Sequence, residues 1–148
     1  MTPTQQAALE GLVNRELSAD EITLATIRSD SPLAESLSVG RTRVESKQIG
    51  RGTILAVMAP MGGLFLGTLR DIGDTRPRTI DSANVAEVVG LIDRGEFDIG
   101  MEASRVQLQL FASANADIAP GIAALLALPV VPDPLSVAAV SAILNSEG

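Results

Sequence analysis

The sequence predicts a mainly α-helical protein, an irregular bundle of about eight short helices with one extended basic arm or short strand. Three observations predict it. Apolar residues recur at helical spacing through most of the chain. Helix-opening residues stand ahead of these stretches, and Gly or Pro closes them. One stretch alone, Val39–Thr53, lacks the helical stripe. The length of 148 residues fits a single helical domain, with 39–53 as its interaction arm.

Taken in order, Pro3 followed by Gln5, Gln6, Ala7, Ala8 and Leu9 opens a helix with Leu9, Leu12, Val13 and Leu17 at helical spacing. Ser18 with Glu21 forms a capping box for a helix through Ile22 to Ile27. Asp30-Ser31-Pro32 breaks it, and Pro32 starts a short helix through Leu33 and Leu37 that ends at Gly40. The stretch VGRTRVESKQIGRGT then carries three glycines and partial alternation around Val44 and Ile49, the marks of an extended arm or a short strand. Thr53 caps a short helix through Ile54 to Met58, and Pro60 opens another through Leu64 to Ile72, stopped by Gly73. After a polar loop containing Pro77, Ser82 caps a helix with Val85, Val88, Val89 and Ile92 on one face and Gly95 at its end. A turn over Glu96–Gly100 leads into a helix from about Glu102 to Ala112, in which Val106, Leu108, Leu110 and Phe111 are apolar. Asp117 or Ala119 begins the next, which Pro129 ends. After the loop VVPDP, Ser136 caps a last helix with Val137, Val140, Ile143 and Leu144 as its stripe.

Composition narrows the function. Apolar residues make up 46% of the chain, enough for a packed core rather than a disordered chain. That core is built from Leu, Ile, Val, Ala and Met, since the aromatics are only Phe65, Phe97 and Phe111. With no Cys and no His, the chain lacks the thiolate nucleophile, the commonest general base and the usual zinc ligands. Carboxylates, Lys47, arginines and hydroxyls are a poor catalytic kit, so the expectation is a protein that is not an enzyme and has no cofactor, metal or small-molecule ligand. A net charge of −7 does not attract nucleic-acid phosphates, and the lack of Tyr and Trp removes most stacking platforms for bases or sugars. Neither nucleic acid nor membrane is an expected partner: Met1–Leu12 shows no targeting pattern, and the longest uncharged run, Ile118–Pro132, is broken by prolines and too short to span a bilayer.

Charge marks the sharpest local feature. Arg41, Arg43, Lys47 and Arg51 are opposed within their own stretch only by Glu45, which gives Arg41–Arg51 a net charge of +3 and leaves −10 for the rest. A basic arm on an acidic body suits docking on an acidic neighbour, such as an identical subunit; the plainer alternative is a solvated loop. On the docking reading, Arg41, Arg43, Val44, Lys47, Ile49 and Arg51 form the interaction site, and the arm adds to the edge of another chain's sheet. The C-terminal Pro-Asp-Pro loop and final helix are a second candidate contact. Gly62, Gly63 and Gly67 lie in or beside a helix and suggest either close backbone approach or loop glycines ahead of the helix start. The carboxylates Asp71/Asp74 and Asp93/Glu96/Asp98 sit near helix ends, where caps and solvating groups are common.

Three segments resemble small proteins encoded among the tail genes of tailed bacteriophages, near tail-fibre genes: LSVGRTRVESKQIGRGTIL (Leu37–Leu55), FDIGMEASRVQLQLF (Phe97–Phe111) and LLALPVVPDPLSVAAVSAIL (Leu125–Leu144). Pro129 stands where a small residue is more usual. The resemblance implies a virion component at the tail, a fibre subunit or a fibre-to-tail adaptor. It would assemble in the host cytoplasm through copies of itself and other phage tail proteins. The alternative is a cytosolic assembly helper or regulatory binding protein that does not remain in the particle.

Overall fold

The computed structural model describes residues 1–147. In chain order its elements are α1 (Pro3–Val13), α2 (Ala19–Thr26), α3 (Asp30–Ser38), β1 (Thr42–Val44), β2 (Gln48–Ile49), α4 (Arg51–Val57), α5 (Gly62–Gly73), α6 (Ile80–Asp93), β3 (Phe97–Asp98), α7 (Glu102–Ala114), α8 (Ala119–Ala127), β4 (Val130–Pro132) and α9 (Val137–Asn145). The protein is mainly α, with nine short helices among the described residues and two small two-stranded sheets, β1 with β4 and β2 with β3. Where the length suggests one domain, the chain groups into two compact units, Met1–Arg43 with Val131–Gly148, and Val44–Val130. It passes from one to the other within β1 and returns within β4.

The first unit packs α1, α2, α3 and α9 around Leu9, Leu17, Ala25, Leu33, Ala34, Leu37, Val140 and Leu144. Its helices begin where side chains satisfy orphan amides. Thr2 and Gln5 form a capping box on α1, Ser18 and Glu21 another on α2, and the Ser136 hydroxyl accepts from the Ala139 N–H on α9. The two ends of the chain are held together by polar groups as well as by the core. Buried Gln5 donates from Nε2 to the Leu144 and Ser146 carbonyls at 3.1 and 2.8 Å, capping the C-terminus of α9. The Ser38 hydroxyl accepts from the Leu135 N–H at 2.8 Å just ahead of that helix.

The second unit contains α4 to α8 with β2 and β3, around a core that includes Ile49, Ile54, Phe65, Leu69, Ile92, Phe97, Ile99, Leu108, Ile122 and Leu125. β2 and β3 are antiparallel, with Gln48 opposite Asp98 and Ile49 opposite Phe97. The Phe65 and Phe111 rings meet edge to face with centroids 5.5 Å apart. Four helix starts differ from the sequence expectation: α3 begins at Asp30, ahead of Pro32, α5 begins at Gly62, after Pro60, and the caps of α6 and α4 are not those expected. α6 is capped by Thr79, not Ser82: the Ser82 hydroxyl is the reciprocal partner, accepting from the Thr79 N–H at 2.8 Å. α4 starts after Gly50 with no side-chain cap, so Thr53 lies inside the helix.

Candidate protein-interaction surface

Of the two forms open to Val39–Thr53, the structure has the strand form twice, in β1 and β2; of the six residues expected to make one contact surface, Arg41 and Arg43 belong to the first unit and Val44, Lys47, Ile49 and Arg51 to the second. Ile49 is 2% exposed and belongs to the core, because its place opposite Phe97 turns it inward; it is not a surface contact. Arg41 is held within its own unit. Its Nε donates to the Asp133 carbonyl at 3.1 Å, one Nη lies 3.2 Å from the Asp133 carboxylate, and the other reaches the Leu12 carbonyl. Arg51 opens α4 and lies 3.5 Å from the Asp93 carboxylate, which also accepts from Arg70 at 3.0 Å. Arg43, Val44 and Lys47 are exposed. Much of the positive charge legible in the sequence is thus spent on the chain's own carboxylates and carbonyls.

The carboxylates are equally occupied with local structure. Asp98 accepts from the Ser46 hydroxyl, from the Lys47 N–H at 2.9 Å and from the Gly100 N–H at 2.8 Å. These bonds, the Ser46 hydroxyl first among them, hold its carboxyl below the usual carboxylate range. Gly100 is required beside it, since a Cβ there would lie 1.9 Å from the Glu45 carbonyl oxygen. Asp93 is shared between two arginines, and Glu96 pairs with Arg94 at 3.2 Å. Among the described residues, no cluster of three or more acidic side chains is arranged to hold a metal ion. No helix among them is long and apolar enough to cross a membrane.

A concave feature lies in the second unit, where α6 packs on α5, α7 packs on α8, and a groove of about 370 Å³ separates α6 from α7. Val85 and Val88 line one wall and Leu108, Leu110 and Phe111 the other. The polar lining side chains are Asn84, Gln107 and Asp81, and Asp81 alone is charged. α7 explains the groove's character. At about 100° per residue, Leu108 and Phe111 share one face, while Ala103, Val106, Leu110 and Ala114 share another. The first face meets the core, with Leu108 buried and Phe111 against Phe65. The second faces water: Val106 is 46% and Leu110 66% exposed. Only Glu102 and Arg105 are charged on this helix, and the Arg105 guanidinium is turned to the Ile99 and Leu126 carbonyls at 3.3 and 2.9 Å. α6 adds to the uncovered apolar area, since Val85, Ala86, Val88, Val89 and Leu91 are all only partly buried.

No family model, curated protein or solved structure matches this chain.

What the α6–α7 face offers is shape and apolar contact, with amides for orientation. An apolar groove continuous with exposed Val106 and Leu110 is the kind of surface on which proteins meet. Sequence reasoning grouped the apolar residues of α7 together and missed the division. The signal was present: four apolar residues at 106, 108, 110 and 111 cannot lie on one helical stripe.

Proposed function

We propose that this chain is a virion structural protein of a tailed bacteriophage, a tail-fibre subunit or a fibre-to-tail adaptor, acting through protein–protein assembly. The observation that carries the reading is that the three segments resembling tail-gene proteins are bonded to one another. β2 of the first pairs with β3 of the second. The Glu45 N–H of the first donates to the Pro129 carbonyl of the third at 2.8 Å. Arg105 of the second donates to the Leu126 carbonyl of the third at 2.9 Å. Segments far apart in sequence that share a pattern with one family, and that also build one hydrogen-bonded substructure, are what a common fold requires.

The chemistry agrees with assembly as the task. Cys and His are absent, several carboxylates serve caps, pairs and turns, and the α6–α7 groove is apolar. The test is mass spectrometry of purified particles of the phage that encodes the chain. The expected result is the intact protein at a fixed ratio to known tail proteins. Its presence in infected cells but absence from particles would overturn the reading in favour of an assembly helper.

A further inference from the structure

We infer that the α6–α7 face is the seat of a second copy of this chain, in a two-fold contact where α7 of each copy lies in the groove of the other. The inference rests on the assembly reading above and names the partner of that surface.

Three observations select a second copy. The first is charge. The chain carries 18 acidic against 11 basic residues, so two copies repel one another over most of their surface. The groove has one charged lining residue, Asp81, and the exposed stripe of α7 has none, so here two acidic molecules can meet with little like-charge cost. A basic partner would gain nothing from a neutral groove. The second is self-complementarity. The same face supplies both a cavity and the side chains that fill one, with Leu110 66% exposed on the wall of the groove. A two-fold contact needs such a surface, because every knob must find its hole on an identical molecule. The third is the spacing of Ala103, Val106, Leu110 and Ala114, steps of three, four and four residues that keep one exposed stripe with small side chains at both ends. This is the seam along which helices pack closely against one another.

Size sets the strength. Helices of 13 and 14 residues are each about 20 Å long, so a face two helices wide covers roughly 400 Å² per copy, about half of what a stable complex buries. The contact is therefore weak in isolation and gains strength from repetition in an assembly.

Sedimentation equilibrium of the purified full chain tests this. The expected result is a monomer–dimer equilibrium that persists or tightens as NaCl rises, because salt screens the repulsion between acidic copies. Leu110→Lys should weaken the dimer about tenfold or more, while leaving the helical circular dichroism unchanged, since Leu110 is exposed. A monomer at every concentration, or a dimer indifferent to Leu110→Lys, overturns the proposal. So does a dimer that salt and Lys47→Glu weaken, which would restore the basic segment as the contact. If Leu110→Lys blocks incorporation into particles while the free protein is always monomeric, the groove holds a different tail protein and a second copy is again excluded. These outcomes are separate from the virion reading. A chain found in particles but monomeric loses only this contact, and a Leu110-dependent dimer missing from particles loses only the virion role.

Discussion

Glu21 holds the Arg15 guanidinium through two hydrogen bonds of 2.8 and 2.9 Å, one to each carboxylate oxygen, although the Glu21 side chain is only 3% exposed. The same carboxylate accepts from the Ser18 N–H and the Ser36 hydroxyl, at 2.9 and 2.8 Å, and so ties the loop before α2, the cap of α2 and helix α3 to one buried charge. The Arg15 bonds above all hold its pKa down at about 2, against burial, which acts in the opposite direction.

Acid should therefore loosen the first unit through Glu21. Between its ordinary value near 4.5 and its folded value of about 2, the unfolded chain binds a proton that the folded chain does not. The stability that Glu21 contributes is complete above that window and is lost as pH falls through it. Glu21→Gln keeps a side chain able to complete the capping box but removes the charge. It should cost about 1–3 kcal/mol at neutral pH and flatten the acid limb. Thermal melts from pH 7 to pH 2 on both proteins check this; parallel pH profiles would show that the charge is not the cause.

Asp98 should govern the order of the turn between β3 and α7. Asp98→Ala removes the acceptor of the Lys47 and Gly100 amides without touching a core side chain. Hydrogen exchange at those two amides should quicken markedly, while amides in the middle of α5 keep their protection. Unchanged exchange would mean that backbone pairing alone holds the turn.

The glycines separate into two kinds with opposite expected outcomes. A Cβ on Gly100 meets the Glu45 carbonyl at 1.9 Å and the Ser46 Cα at 2.8 Å, both backbone, so Gly100→Ala should destabilise by about 3 kcal/mol. Gly67, within α5, has nothing within 4 Å of that position, so Gly67→Ala should stabilise by about 0.5–1 kcal/mol. Urea midpoints for the two variants, read with their slopes, provide the comparison.

Arg41 and Lys47 should also diverge. Arg41→Ala removes a guanidinium that bonds Asp133 and the Leu12 carbonyl and should lower stability by about 1 kcal/mol. Lys47→Ala, at an exposed side chain, should fall within about 0.5 kcal/mol of the parent. Equal effects in chemical denaturation would contradict the structural role of Arg41.

The helices were legible in the sequence where a local signal decides them. Pro3, Ser18 with Glu21, and Ser136 act within one turn, and the helix ends expected at Gly40 and Gly95 lie at positive φ, 74° and 71°. α6 shows the limit of such signals: Thr79 and Ser82 both carry capping side chains, and the pairing of the two determines which one caps. β3 was beyond reach because two residues are too few to show alternation, and Phe97–Asp98, read as part of a turn, becomes a strand only beside Gln48–Ile49. The internal partners of the basic stretch were hidden for a related reason. Charge in a sequence has no address until its partners are known, and those of Arg41 and Arg51 are Asp133 and Asp93.

The two passages of the chain through β1 and β4 make the second unit an insertion within the first. Residues 44–130 hold the whole second unit, and the Glu45 N–H to Pro129 carbonyl bond clasps the ends of that stretch without any contribution from α9. Leu9 and Leu37, by contrast, need Val140 and Leu144 of α9 before their core closes. A released chain truncated after Pro132 should therefore keep the inserted unit folded, while the other unit, lacking α9, is left with its core open.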